Sequence, residues 1–376
     1  MQITTQANHR LLKQIVEEIK TQGPITFARY MELALYAPGL GYYSAGAKKF
    51  GAGGDFVTAP EISPLFSRCI AHQCQQVLAH INGGDILEIG AGSGVMAVDI
   101  LIELEKSNTL PNNYFILELS ADLKQRQQEL LQQKIPHLFN RIHWLNTLND
   151  LQTQGVILAN EVLDAMPIHK FKIDHGIKEF YADYKNDKLS WHVDKPSNTE
   201  LTKAIEQLTI EFGENYESEI NLLLKPWIKS LSDVLKSGLI LLLDYGFPRH
   251  EYYHPDRNQG TLMCHYQHQA HSDPLLNPGL QDITAHVDFT AVAEAADMCD
   301  LRVAGYTTQG HFLVNCGLLN LIADNTGPAT QWQISQQIKK LLMPSEMGEL
   351  VKTIALTRNL DMTLLGFTAN DKRDRL

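Results

Sequence analysis

The stretch that decides the fold is Ile86-Leu87-Glu88-Ile89-Gly90-Ala91-Gly92-Ser93-Gly94. It reads as a buried strand running straight into a turn with glycine at alternate positions. Val95 to Leu104 then carries the apolar spacing of a crossover helix. A second apolar strand follows, Tyr114-Phe115-Ile116-Leu117-Glu118-Leu119-Ser120, with a carboxylate near its end. Strand, glycine turn, helix and strand in this order open a parallel sheet wound with helices.

The spacing of the glycines separates two kinds of ligand. The dinucleotide fingerprint is G-x-G-x-x-G, which seats a pyrophosphate on a helix N-terminus. Here the pattern is Gly90-x-Gly92-x-Gly94, preceded by Glu88. S-adenosylmethionine has no phosphate; it brings a sulfonium, an amino group, a carboxylate and a ribose. Glu88 beside the turn suits its positive groups, and Glu118 at the next strand end can accept hydrogen bonds from ribose hydroxyls. The pattern therefore predicts an S-adenosylmethionine site and a methyltransferase. The plainer alternative is a glycine-rich turn with no ligand.

Outward from this core, 376 residues with 44% hydrophobic content suffice for one large α/β unit with insertions. A net charge of −11 argues against general affinity for nucleic acid. The five cysteines, Cys69, Cys74, Cys264, Cys299 and Cys316, form no CxxC pair and no zinc spacing. An odd, scattered set suits reduced thiols. No segment approaches the ~18 continuous apolar residues of a membrane span. Met1 to Lys20 lacks an apolar signal core and contains Glu17 and Glu18, so the expected location is the cytoplasm.

The chain is expected to divide into an N-terminal helical and glycine-rich cap region (1–82), a first part of the core (83–167), an inserted α+β subdomain (168–236) and the rest of the core (237–376). A substrate-covering loop is expected at 247–288. The insertion reads as an antiparallel meander followed by helices at 199–208 and 218–236. The apolar run Gly238 to Gly246 resumes the core as a strand buried on both faces. Late strands are expected at Arg302–Tyr306 and Met362–Phe367, with helices at 313–324 and 329–357. Tyr181, Tyr184 and Trp191 offer either a local core or a homodimer interface.

Ligands of parallel sheets sit at the carboxyl ends of the strands. Besides Glu118, two such ends are polar: Asn160-Glu161 with Asp164, and Asp244-Tyr245. Methyl transfer is an in-line displacement that needs alignment and, where required, removal of the acceptor's proton. Asn160 offers an amide carbonyl to orient a donor group. Glu161 and Asp164 offer carboxylates for a guanidinium or ammonium. Asp164 is equally a helix cap, and Glu161 a solvated loop acid. Farther on, Asp282, Thr284, His286 and Asp288 alternate along one face of an extended segment and are taken as substrate contacts with Asp244 and Tyr245. His265, His268, His271 and His286 lack a compact ligand motif, so no metal is expected. Asn160 is not followed by the Pro-Pro-aromatic run used to stack an extruded base, which sets nucleic-acid acceptors aside.

These motifs together resemble one family. Ile25-Thr26-Phe27-Ala28-Arg29-Tyr30-Met31, Gly39-x-Gly41-Tyr42-Tyr43, Gly54-Asp55-Phe56-Val57-Thr58-Ala59-Pro60-Glu61-Ile62-Ser63, the glycine turn, Asn160 to Pro167, Asp244-Tyr245-Gly246, Gly260-Thr261-Leu262 and Gln281 to Phe289 are similar, in this order, to the MidA-like methyltransferases. Mitochondrial members of that family assist assembly of the respiratory NADH dehydrogenase complex as protein arginine methyltransferases. The resemblance implies a class I methyltransferase core, a Rossmann-like and mostly parallel sheet with helices on both faces. It also implies a cofactor cleft lined or covered by Thr58, Pro60, Glu61 and Ser63, and active-site roles for Glu161 and Asp164. The implied acceptor is arginine in a protein, with a respiratory-complex subunit as one candidate partner. The alternatives are a small-molecule or other side-chain acceptor, and a cofactor-binding assembly factor without turnover.

Overall fold

The computed structural model describes residues 2–45, 58–149, 151–267, 269–323 and 328–376. The Gly54-Asp55-Phe56-Val57 part of the second glycine-rich motif and His268 lie outside the described residues.

The centre is a twisted sheet. Ile142–Leu145, Tyr114–Leu117, Asp85–Ile89, Thr153–Asn160 and Leu235–Phe247 run parallel in that spatial order. Val351–Arg358 then pairs antiparallel with Leu235–Phe247, and Arg302–Thr308 pairs antiparallel with Val351–Arg358. Alternation along the strands divides the core into two layers. Ile86, Val156, Leu239, Leu241 and Leu243 face Pro64–His80 and Val95–Lys106. Leu87, Ile157, Ile240 and Leu242 face Leu224–Val234 and Phe289–Asp297. Cover on both faces explains why these strands are continuously apolar. This is the class I methyltransferase architecture.

The path of the chain positions the site. From Asp85–Ile89 it crosses first to Tyr114–Leu117 on one side, and later returns to Thr153–Asn160 on the other. That reversal opens a crevice at the carboxyl ends of the two central strands.

Three expectations change. Val351–Arg358 is a strand, not the end of a helix over 329–357. The helix stops at Leu342, ahead of Pro344, and Val351-Lys352-Thr353-Ile354 is the kind of β-branched run that fills a sheet. Met362–Phe367 is not a strand and ends in a 3₁₀ turn, Leu365–Phe367. Leu224–Val234 belongs to the core and not to an insertion over 168–236, because Leu224, Ile228 and Leu231 pack on the central sheet.

A second, antiparallel sheet joins His169–Ile173, Ile177–Lys185, Lys188–Asp194 and Tyr216–Ile220. Its edge is completed by Ile25–Thr26 from the N-terminal region, Ile25 opposite Ala182. Phe27 lies 5.2 Å from the Trp191 ring, which also meets Phe180 at 5.4 Å. Trp191 and Tyr184 thus pack into the cap core with Leu11, Ile15 and Tyr30. Among the described residues no helix is long and apolar enough to cross a membrane.

Candidate active site

A cavity of about 940 Å³ opens at the crevice between the two central strands. Its floor is Glu88 to Ser93, and its walls include Glu118, Asn160, Glu161, Thr58, Pro60 and Glu61. Gly90, Gly92 and Gly94 all have positive φ, at 68°, 53° and 85°. A side chain at Gly90 would also place its Cβ 3.0 Å from Val162, so the glycine turn and the Asn160–Pro167 turn approach closely. Ser93 donates a hydrogen bond from its hydroxyl to Glu61, which ties the short helix Ala59–Ile62 to this turn.

Both acids expected at the cofactor, Glu88 and Glu118, are held from behind. The hydroxyl of Tyr114 donates to Glu88 at 2.7 Å, and burial pushes the Glu88 carboxyl up to about 7 against that bond. Glu118 accepts from the amide of Ser120 at 2.9 Å and from the Gln127 side chain at 3.0 Å. Gln127 also donates to the Gly92 carbonyl at 2.9 Å and accepts from Trp144 at 3.0 Å. One buried amide therefore fixes Glu118 and the glycine turn together. Sequence reading passed over Gln127; its only signal was a polar residue among the inward positions of Ala121–Lys134. Met96, Leu117, Leu119, Leu123 and Leu148 supply apolar wall to the cavity. The described lining carries five acids, Glu32, Glu61, Glu88, Glu118 and Glu161, against Arg29 and His169. Arg29 is itself tied to Glu18 at 2.8 Å and Glu32 at 2.7 Å. Among the described residues the cradle is rich in acceptors and poor in charged donors, which fits the cationic S-adenosylmethionine better than a phosphate.

Beside the cradle, the strand Thr153–Asn160 ends in a strained turn. Glu161 has φ 52°, unusual for a residue with a side chain. The turn is held by Asp244, one oxygen of which accepts from the amides of Val162, Leu163 and Asp164 at 3.1, 2.8 and 3.3 Å. The fully buried Asp244 is thus a scaffold for the Glu161 turn and does not line the cavity. Glu161 Oε1 receives the Ala59 amide at 3.4 Å and the Asn160 side chain at 3.3 Å. Asn160 Oδ1 and Glu161 Oε2 are shielded from solvent and have no hydrogen-bond partner among the described residues. Burial, then Asp244, pushes the Glu161 carboxyl up to about 8. Burial, Asp244 and Glu161 drive Asp164 well above its ordinary range. Asp164 lies behind the wall, not in it.

The remaining expected contacts are elsewhere. Ser63 is buried and caps Pro64–His80 by accepting from Leu65 at 3.4 Å. The segment 247–288 is not a loop over the cleft. It folds into the small sheet Met263–Tyr266, Gln269–His271 and Asp282–Thr284, packed on the N-terminal helices through Cys264 and Ile283. Asp282 accepts from the Tyr43 hydroxyl at 2.9 Å. Thr284 donates to the Met263 carbonyl at 3.4 Å. Asp288 caps Phe289–Asp297 and pairs with Arg249 at 3.0 Å. His286 stacks on Tyr245, and burial followed by Arg257 and Lys352 lowers it to about 4. None of these, nor Tyr245, lines the cavity. Their alternation came from cap and turn chemistry, which polar residues serve as readily as ligands. Among the described residues one group has metal-ligand spacing, Asp174, His175 and Glu214; it is largely exposed and away from the cavity lining.

Comparison with known proteins points to the same cofactor class. A family model described as "Putative S-adenosyl-L-methionine-dependent methyltransferase" matches residues 69–307. A crystal structure of a Burkholderia thailandensis protein bound to S-adenosyl-homocysteine is 38% identical, covers 99% of this chain and 98% of its own, and superposes with a TM-score of 0.94. The rat protein arginine methyltransferase NDUFAF7, mitochondrial, is 30% identical over 93% of this chain and 85% of its own length. The homologue from Caenorhabditis elegans is 31% identical over 75% of this chain and 70% of its own.

Proposed function

The chain belongs to this S-adenosyl-L-methionine-dependent methyltransferase family, and from that premise we propose that it methylates arginine side chains of a protein. The observation that carries the choice of acceptor is a pair of buried acceptors beside the glycine turn, Asn160 Oδ1 and Glu161 Oε2, which have no partner among the described residues. An unmatched buried acceptor costs roughly 1–3 kcal/mol, and more when charged. A guanidinium brings planar N–H donors and a positive charge to such a pair. Glu161 would bind one edge of the guanidinium and Asn160 would orient it. S-adenosylmethionine supplies the electrophilic methyl group. The naming of the animal relatives as protein arginine methyltransferases supports the same reading.

The proposal extends to a cytoplasmic location, on the ground that the five unpaired cysteines suit a reducing compartment. A respiratory-complex subunit as acceptor and a homodimeric assembly are its further parts, the first drawn from the family resemblance. The test is incubation of the protein with methyl-labelled S-adenosylmethionine and extract from cells lacking the gene, followed by hydrolysis. Methylarginine supports the reading. Label in lipid or small molecules keeps the methyltransferase and discards the acceptor. Absence of label, with cofactor binding measured separately, favours an assembly or sensing role.

A further inference from the structure

We propose that His169, held by Glu179, is the base that takes the proton released by the methyl acceptor. This inference rests on the arginine reading above. His169 begins the strand His169–Ile173, immediately after the Asn160–Pro167 turn, and lines the same cavity as Asn160 and Glu161. Its Nδ1 lies 2.7 Å from Glu179 Oε1. Glu179 is fully buried, and its other oxygen accepts from the amide of Ser197 at 2.6 Å and the Tyr181 hydroxyl at 3.3 Å. An ionised carboxylate only accepts, so Nδ1–H must donate and Nε2 is the acceptor nitrogen. Burial raises Glu179, but the hydrogen bonds from His169 and Ser197 outweigh it and hold the carboxyl below its ordinary range. The result is a base with an orienting acid, on the wall of a cavity that must dispose of a proton.

Glu161 is poorly placed to keep that proton, because the methylated guanidinium remains a cation and needs an ionised partner. In the step, the acceptor nitrogen forms its N–CH₃ bond as the C–S bond breaks and leaves its electron pair on sulfur. The nitrogen's proton passes to His169 Nε2. Glu179 balances the imidazolium, which then loses the proton to solvent. Among the described residues, the charged groups that share the lining with His169 from the packed helix Phe27–Tyr36 are Glu32 and Arg29, whereas Glu219 on the adjacent strand Tyr216–Ile220 stands opposite Lys170, on the other face of the sheet. Arg29 is neutralised by Glu18 and Glu32, and Glu219 is engaged with Thr261 at 2.8 Å.

The test uses the intact protein, methyl-labelled S-adenosylmethionine and gene-deficient extract, reading methylarginine. His169→Ala is expected to lose about 10²-fold in rate, with S-adenosylhomocysteine affinity unchanged, and to regain part of the rate when imidazole is added. His169→Gln keeps a donor to Glu179 but no base, and is expected to be equally slow. A low-field imidazole N–H proton resonance should be present in the wild type and absent from both His169→Gln and Glu179→Gln. A Gln variant at wild-type rate, or an Ala variant indifferent to imidazole, overturns the proposal while leaving the arginine reading intact. A wild type that yields no methylarginine fails that reading instead.

Discussion

Glu161 combines a left-handed backbone with a buried carboxyl raised to about 8, and each has a consequence. In the empty enzyme the group is mostly protonated at neutral pH, so binding of a guanidinium must expel that proton. Acceptor affinity is therefore expected to rise with pH until about 8 and then level; titration of binding against pH checks it. The sign for stability is opposite. A carboxyl raised on folding from 4.5 to about 8 stabilises the fold fully below 4.5 and loses that contribution as pH rises through 8. Glu161→Gln should flatten the melting temperature across that window. The same variant is expected to lower methyl transfer by about 10²-fold or more while S-adenosylhomocysteine binding stays within about threefold. Retained transfer would remove Glu161 from the site.

At the scale of the element, the decisive unit is the pair of turns that meet at Gly90 and Val162. The glycine turn requires left-handed backbone, and the facing turn is held by three amides on one Asp244 oxygen. Asp244→Ala leaves those amides without their partner. At roughly 1–3 kcal/mol for each buried group, a destabilisation of about 3 kcal/mol or more is expected in chemical denaturation, with activity lost. Gln127→Ala acts on the neighbouring element. It frees Glu118, the Gly92 carbonyl and the Trp144 N–H, and is expected to weaken S-adenosylhomocysteine binding about tenfold by calorimetry, with a destabilisation of roughly 1–3 kcal/mol. An unchanged affinity would show that Glu118 is oriented without it.

Across the whole molecule, two distant parts of the chain build one cap. Ile25–Thr26 completes the sheet formed by 169–220, and Phe27 is locked against Trp191. Both parts reach the cavity, through Arg29, Glu32 and Tyr36 on one side and His169 on the other. The cofactor end, by contrast, is made by the central sheet. Phe27→Ala removes a fully buried ring and should cost about 3–5 kcal/mol. Because the damage falls on the acceptor side, methyl transfer is expected to fall more than S-adenosylhomocysteine affinity does. Equal losses would mean that cap and core unfold as one unit.

The sequence by itself determined the cofactor half of this protein. A glycine turn after a strand and an acid at the next strand end are contiguous, local features, and local sterics and hydrogen bonding leave them few alternatives. The Asn160-Glu161 end was legible for the same reason, since strand ends in a parallel sheet are where ligands gather. What only the tertiary structure decided was the division of labour among the polar residues. Asp244 and Asp288 carry the same carboxylate as Glu161, yet burial against backbone amides makes one a scaffold and the other a helix cap. Gln127 and His169 join the site through partners supplied by folding, Gly92 lying 35 residues from Gln127 and Glu179 reaching His169 across a hairpin. The strand Val351–Arg358 is likewise fixed by the sheet it enters, because a short β-branched run acquires its conformation from the neighbours that pair with it.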